Sequence, residues 1–354
     1  MGRPVTVALD GMGGDHAPLE VLRGARLAVG RDLALTVRIH ATPEVLAGLA
    51  ADGTGRLVAC PSGEAPGMDE AAGAVRRQPS LSVVSCLRDV RHGAADAVVS
   101  AGSTGAFAAA AVLTLGRLGG IPRPALAAIV PTLSGPAVVL DVGGTVDSRP
   151  EWLLDFAAMG TAMARIVLGI PEPRVGVLNI GEESGKGDAR SQALYRALAG
   201  RIGAGVPLGG GAWVFAGNVE GRGVFLPEAD VVVCDGFAGN IFLKTAEGVS
   251  QLVTNLLTDA VGTLPLWRRI AAPLLGPAFQ AVRERLDPAA HGGAVLLGVR
   301  GLCVAAHGSS QAPAVASALA LAARSARGNL QERLAESLST GEAADHPEHP
   351  EVRS

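Results

Sequence analysis

The chain has 354 residues and a formal net charge of -3, from 30 Lys and Arg against 33 Asp and Glu. It is 48% apolar, with 3% aromatic residues and 48 glycines. Such a composition is hard to reconcile with a disordered chain, and a near-neutral balance with no Lys/Arg run longer than two gives no reason to expect a nucleic-acid partner.

The first strand, VTVAL, runs into Asp10-Gly11-Met12-Gly13-Gly14-Asp15, so glycine and charge interrupt the N-terminus before a secretory signal could form. A cytoplasmic location is the expectation. Strand patterns LTVRI, DAVVSAG, AVVLDVG, RVGVLNI, DVVVCDG and GLCVAAHG follow, each handing over to an Ala/Leu-rich helical stretch. The alternation predicts βαβ units and a Rossmann-like parallel-sheet α/β/α sandwich, with ligands bound at the loops that follow the strands.

Those loops repeat one local design. After the first come Ser100 to Gly105, Asp141 to Thr145, Asn179 to Gly187, Asp235 to Asn240 and His307 to Ser310, each mixing Gly with small hydroxyls, amides or carboxylates. Glycine permits close backbone approach, and capped helix N-termini attract anions. Six such loops on one edge of one sheet predict a shared cleft for phosphate or a similar anion. Only two of the Lys and Arg residues are lysines: Lys186 falls in one of these loops and Lys244 in the first turn after another. An ammonium is a compact charge that differs from a guanidinium fork, so both are site candidates.

Residues 257–290 break the alternation with Leu264, Leu266 and Trp267 beside Arg268 and Arg269, the pattern of a helical hairpin insertion. Two readings stand: an interfacial membrane contact, or a hairpin at a dimer interface. No apolar run reaches bilayer-spanning length. Residues 1–328 read as a single α/β catalytic domain and 329–354 as a disordered polar tail.

Several chemistries lack their parts. The dinucleotide fingerprint begins with Gly11 and Gly13 but has His16 at its third position, and the second strand ends without a carboxylate. GEESGKG lacks the hydroxyl that would hold magnesium, and no G-x-S-x-G elbow occurs. Cys60, Cys86, Cys234 and Cys303 have no metal-ligand or disulfide spacing and read as buried thiols. Transfer of an acyl group to inorganic phosphate remains open, because phosphate is itself the nucleophile and the protein has only to hold reactants and stabilise an oxyanion.

VALDGMGGDHAP, DAVVSAGSTGA, LDVGGTVDSRPEW, RVGVLNIGEESGKG, FAGNVEGR, ADVVVCDGFAGNIFLKTAEG and GGAVLLGVRGLCVAAHGSS, in that order, resemble the PlsX-type phosphate acyltransferases of bacterial phospholipid synthesis over residues 4–325. The resemblance implies a fold similar to isocitrate-type dehydrogenases and phosphotransacetylases. It further implies reversible transfer of a long-chain acyl group from acyl carrier protein to orthophosphate, without metal or cofactor. The acyl phosphate would feed a membrane glycerol-3-phosphate acyltransferase, and the protein would be a homodimer on the inner face of the membrane. The chain departs from the family pattern with Ser103 and Thr145 at positions where Asn is common.

On this reading Lys186, Lys244, Asp235, Asn218 and His307 are the catalytic candidates, with His307 either protonating the leaving thiol or leaving that work to backbone donors of HGSS. Phosphate or substrate contacts fall to Asp10, Gly13, Gly14, Asp15, Ser103, Thr104, Gly105, Asp141, Glu182, Glu220, Gly236, Asn240 and Ser309, although Asp10 and Asp235 also suit loop capping. Arg76, Arg77 and Arg222 would dock the acidic carrier protein, and Leu264, Leu266 and Trp267 would touch the membrane. Alternative functions are a short-chain phosphotransacetylase using acyl-CoA and a non-catalytic scaffold for carrier protein or lipid.

Overall fold

The structure, a computed structural model, describes residues 2–48, 55–66, 78–145, 147–262 and 292–338. The strands are β1 (Val5–Asp10), β2 (Leu35–Ala41), β3 (Leu57–Pro61), β4 (Ala97–Ser100), β5 (Ala125–Thr132), β6 (Gly135–Leu140), β7 (Arg174–Asn179), β8 (Val214–Glu220), β9 (Val231–Val233), β10 (Ala294–Leu297) and β11 (Leu302–Ala305). They form one eleven-stranded sheet in the order β3-β2-β1-β4-β11-β10-β5-β6-β9-β7-β8. The helices are α1 (Leu19–Arg31), α2 (Pro43–Ala47), α3 (Ser82–Arg91), α4 (Thr104–Leu115), α5 (Pro150–Val167), α6 (Ala189–Gly203), α7 (Gly236–Gly262), α8 (Ala312–Arg327) and α9 (Leu330–Ser337).

Both faces of the sheet are covered, which is why its strands read as continuous apolar runs. Along β1, Val5, Val7 and Leu9 enter one core with α1, α5, α6, α8 and α9. Ala8 enters the other, with α3, α4 and the first turns of α7. Helices approach closely where side chains are small: a Cβ on Gly24 of α1 would lie 2.6 Å from Val315 of α8.

The sheet is mixed rather than wholly parallel. β5 and β6 are a hairpin joined at Leu133 and Ser134, a link too short for the crossover that parallel strands need. β10 is antiparallel to both β5 and β11. β11, β4, β1, β2 and β3 run parallel to one another, and so do β6, β9, β7 and β8. Three reversals across β11-β10-β5-β6 leave these blocks pointing in opposite directions. The loops after β1, β4 and β11 therefore emerge at one edge of the sheet and those after β6, β7, β8 and β9 at the other. The expectation of six loops on one edge is corrected accordingly.

α7 reconnects the two edges. It starts beside β9 and packs Ala238, Phe242 and Leu243 over the second core. The eleven helical steps from Gly236 to Glu247 climb about 16 Å, enough to carry Lys244 and Glu247 toward the opposite edge. At the C-terminal end, α9 sinks Leu330 and Leu334 to 1% and 0% exposure. A helix thus follows the expected tail boundary at 329. Arg76, Arg77, Leu264, Leu266 and Trp267, together with the expected hairpin after residue 262 and the tail beyond 338, lie outside the described residues.

Candidate functional site

A cleft of about 1020 Å³ opens between α7 and the loops after β1, β4 and β11. Its polar end carries Asp15, His16, Thr104, Lys244, Glu247, His307 and Ser309, and its floor is apolar, with Leu126, Ala128, Val130, Phe225 and Leu243. Asn240 and Gly143 also line it. Six sequence candidates (Asp15, Thr104, Asn240, Lys244, His307 and Ser309) are gathered here from four separate segments.

The loops are pinned to one another by backbone. Asp15 N–H donates to Gly308 O at 2.8 Å, tying the glycine-rich first loop to HGSS. Gly14 has φ +110°, and a Cβ there would sit 3.1 Å from Ala101 Cβ and 3.2 Å from Gly308 O, so only glycine fits. Gly13 is equally enclosed, its Cβ position lying 2.5 Å from Asp10 Oδ2. These glycines let the loops converge. Ser103 caps α4, accepting from Ala106 N–H at 3.5 Å, which turns the helix N-terminus with Thr104 and Gly105 toward solvent.

Asp10 and Asp141 prove to be anchors. Asp10 is 1% exposed and accepts from the hydroxyls of Ser82 at 2.6 Å and Ser100 at 2.7 Å, as well as from Met12 N–H. Burial pushes its carboxyl upward, and the two hydroxyls oppose that. Asp141 is fully buried and accepts backbone N–H groups of Leu126, Gly143, Gly144 and Thr145 at 2.9, 3.2, 2.7 and 2.6 Å. Burial raises it to about 6 against those four donors. Each shapes a loop from beneath, and neither lines the cleft.

Asp235 caps α7, its Oδ1 accepting from Phe237 and Ala238 N–H. Gly236 is packed against Thr145 O and Asp141, where a side chain would clash. Lys186 is exposed and belongs to a second polar cluster at the ends of β7 and β8, apart from the residues lining the cleft. Asn218, 6% exposed, donates to Glu183 O at 2.7 Å and accepts from Asn179 at 2.9 Å, holding the 179–187 loop. Arg222 pairs with Glu220 at 2.8 Å and lies 3.8 Å from Glu182. The two lysines therefore do not share this cleft.

Glu247 was not among the residues the motifs suggested. Its Oε2 lies 2.8 Å from Lys244 Nζ and 3.7 Å from His307 Nε2. The available signal was its i+3 spacing from Lys244, which reads equally well as an ordinary helix-surface pair.

All four cysteines are free and buried. Among the described residues, His40, Cys60 and Asp89 offer ligand atoms within 4.8 Å of one another. Asp89 Oδ2 already accepts from Arg38 at 2.6 Å and His40 Nε2 at 2.7 Å. Burial would raise the Asp89 carboxyl, but these two bonds reverse it to a net lowering. The guanidinium thus already supplies the cation this carboxylate needs.

Among the described residues no helix is long and apolar enough to cross a membrane. In overall structure the chain is similar to the EutD phosphotransacetylase from Staphylococcus aureus, with a TM-score of 0.59 at 16% identity over 92% of this chain and 95% of that one. A phosphotransacetylase from Streptococcus pyogenes gives 0.57 at 18% identity over 93% and 94%. At such identity the likeness concerns the fold. In sequence, a phosphate acyltransferase of Synechococcus sp. (strain JA-2-3B'a(2-13)) is 45% identical over 346 residues, 96% of this chain and 89% of that protein. One of Moorella thermoacetica (strain ATCC 39073 / JCM 9320) is 44% identical over 322 residues, 90% of this chain and 91% of that protein. Residues 5–333 also match the model of the family described as fatty acid synthesis protein. With a match across nearly the whole ordered chain and relatives this similar, the chain belongs to the fatty acid synthesis protein family that these phosphate acyltransferases represent.

Proposed function

We propose that the protein transfers a long-chain acyl group reversibly from acyl carrier protein to orthophosphate, giving acyl phosphate for phospholipid synthesis. The observation that carries this reading is the two-part cleft, a polar end with Lys244, His307 and Ser309 continued by an apolar floor of Leu126, Ala128, Val130 and Leu243. Such a cleft suits a charged reacting centre with a long apolar tail.

In this reading a phosphate oxygen attacks the thioester carbonyl, the carbon–sulfur bond breaks, and the carrier's thiolate leaves. The Lys244 ammonium stabilises phosphate or the developing oxyanion. The His307 ring stands across the cleft mouth from that ammonium, held by the Ser309 N–H behind it. No side chain needs to be acylated. A thiolate is a good leaving group, with an ordinary pKa of about 8.5, so proton donation by His307 assists rather than decides the step.

Exposed Ile241, Val249, Leu252 and Leu256 fall along one side of α7, a stripe that supports the homodimer reading. Sedimentation of the purified protein as a monomer would overturn that part. Peripheral attachment to the membrane, and delivery of product to a glycerol-3-phosphate acyltransferase there, follow from the chemistry of an amphipathic acyl phosphate.

The deciding experiment incubates the protein with phosphate and either palmitoyl carrier protein or palmitoyl-CoA, then traps acyl phosphate as the hydroxamate. Product from the carrier donor is expected. Product from the CoA thioester alone would favour a phosphotransacetylase, and product from neither would favour a scaffold.

A further inference from the structure

Lys244 and Glu247 stand on α7, while His307 and Ser309 stand on the loop after β11, across the cleft mouth. A single oxygen, Glu247 Oε2, joins these walls, 2.8 Å from the lysine ammonium and 3.7 Å from His307 Nε2. On the other side of the imidazole, Nδ1 accepts Ser309 N–H at 3.2 Å and lies 2.7 Å from Ser309 Oγ. A ring nitrogen that accepts a backbone N–H carries no proton in the neutral ring, so the proton sits on Nε2, facing Glu247. Asp15 and His16, from the loop after β1, are the other ionisable groups lining this end.

A carboxylate beside an anion site repels the anion unless its charge is spent locally. Here Lys244 absorbs it. The lysine side chain is 47% exposed and has four rotatable bonds, so on its own the ammonium would sample many positions. Bound to Glu247, it uses one of its three N–H donors and keeps two for substrate oxygens. The same oxygen lies 3.7 Å from His307 Nε2, beyond hydrogen-bond reach, and acts on that ring through its charge, while Ser309 fixes the ring from behind.

We infer that Glu247 is a positioning residue, which holds the Lys244 ammonium beside His307 Nε2 at one reacting centre and acts on the substrate only through that ammonium. This rests on the cleft being the acyl-transfer site. An ordinary exposed i,i+3 pair would add little to stability and nothing to turnover.

The test is a double-mutant cycle on acyl phosphate formation. Glu247→Gln keeps the side chain's size and removes its charge. Its kcat should fall about 10- to 100-fold with the melting temperature unchanged, and Glu247→Asp should restore part of the loss. In a Lys244→Ala background the same Glu247→Gln change should cost less than about 3-fold, because nothing remains to aim. Glu247→Gln activity within about twofold of wild type, or an equal cost in both backgrounds, overturns the inference. If the wild type forms no acyl phosphate from either donor, the proposed activity fails. The same cycle is then read on inorganic phosphate affinity by calorimetry: loss of affinity with Glu247→Gln only when Lys244 is present supports the inference, and equal changes or none overturn it.

Discussion

At the scale of single residues, the two lysines that stand out in an arginine-rich chain part company. Lys244 lines the cleft against Glu247, whereas Lys186 stands on the 179–187 loop, its carbonyl held by Asn179. Lys244→Ala should lower turnover about a hundredfold, the cost of removing a preorganised charged donor, with Lys186→Ala costing far less. Steady-state rates of both variants check this, and equal losses would place the two lysines in one site. Asp141 supports a different prediction. Its folded pKa of about 6 lies above the ordinary 3.8 of an aspartate, so between those values the folded state holds a proton that the unfolded state has released. Its contribution therefore falls as pH rises through that window, by about 3 kcal/mol in all at about 1.4 kcal/mol per unit. Asp141→Asn removes the titration but places an amide donor against Thr145 N–H, which now donates to Oδ2 at 2.6 Å. Measured by denaturant unfolding, the variant should be less stable than wild type at pH 4, with the gap narrowing by pH 6.5.

At the scale of elements, the strands that were easy to read share a feature: VTVAL, LTVRI and DVVVCDG are β-branched runs flanked by polar turns. β3, β5, β8 and β10 escape a local reading because LVACP, ALAAIVPT, VFAGNVE and AVLL are short or carry alanine, glycine or leucine in patterns that suit a buried helix or a loop as well. The same ambiguity hid α9. LQERLAES looks polar, yet Leu330 and Leu334 at i,i+4 form a one-sided stripe that finds α5. Leu334→Ala should cost about 2 to 5 kcal/mol by leaving a cavity in that core, a loss that urea unfolding would read. No change in stability would show that α9 contributes no packing. The glycine loops were legible as loops, since positive φ and close approach at Gly14 demand glycine. What each one faces was not.

At the scale of the whole molecule, the cleft floor runs over the sheet face beneath α7, where Ala128 stands between Leu126 and Val130. Ala128→Phe would fill that space and should shift preference from palmitoyl to shorter acyl donors, read as relative kcat/KM across a chain-length series; an unchanged series would place the acyl chain elsewhere. The family, the α/β class, the core strands and most polar residues of the cleft can be read from local order, because periodicity and turn chemistry are local properties. Which residues meet was decided by tertiary structure alone. Three antiparallel pairings in the middle of the sheet reverse its second half and send the 179–187 loop with Lys186 to the far edge. α7 then crosses the face and returns Lys244 and Glu247 to His307. The short links of β5 to β6 and β10 to β11 fix those two reversals locally, but the pairing of β10 with β5 joins distant segments, and no local pattern in the chain encodes it.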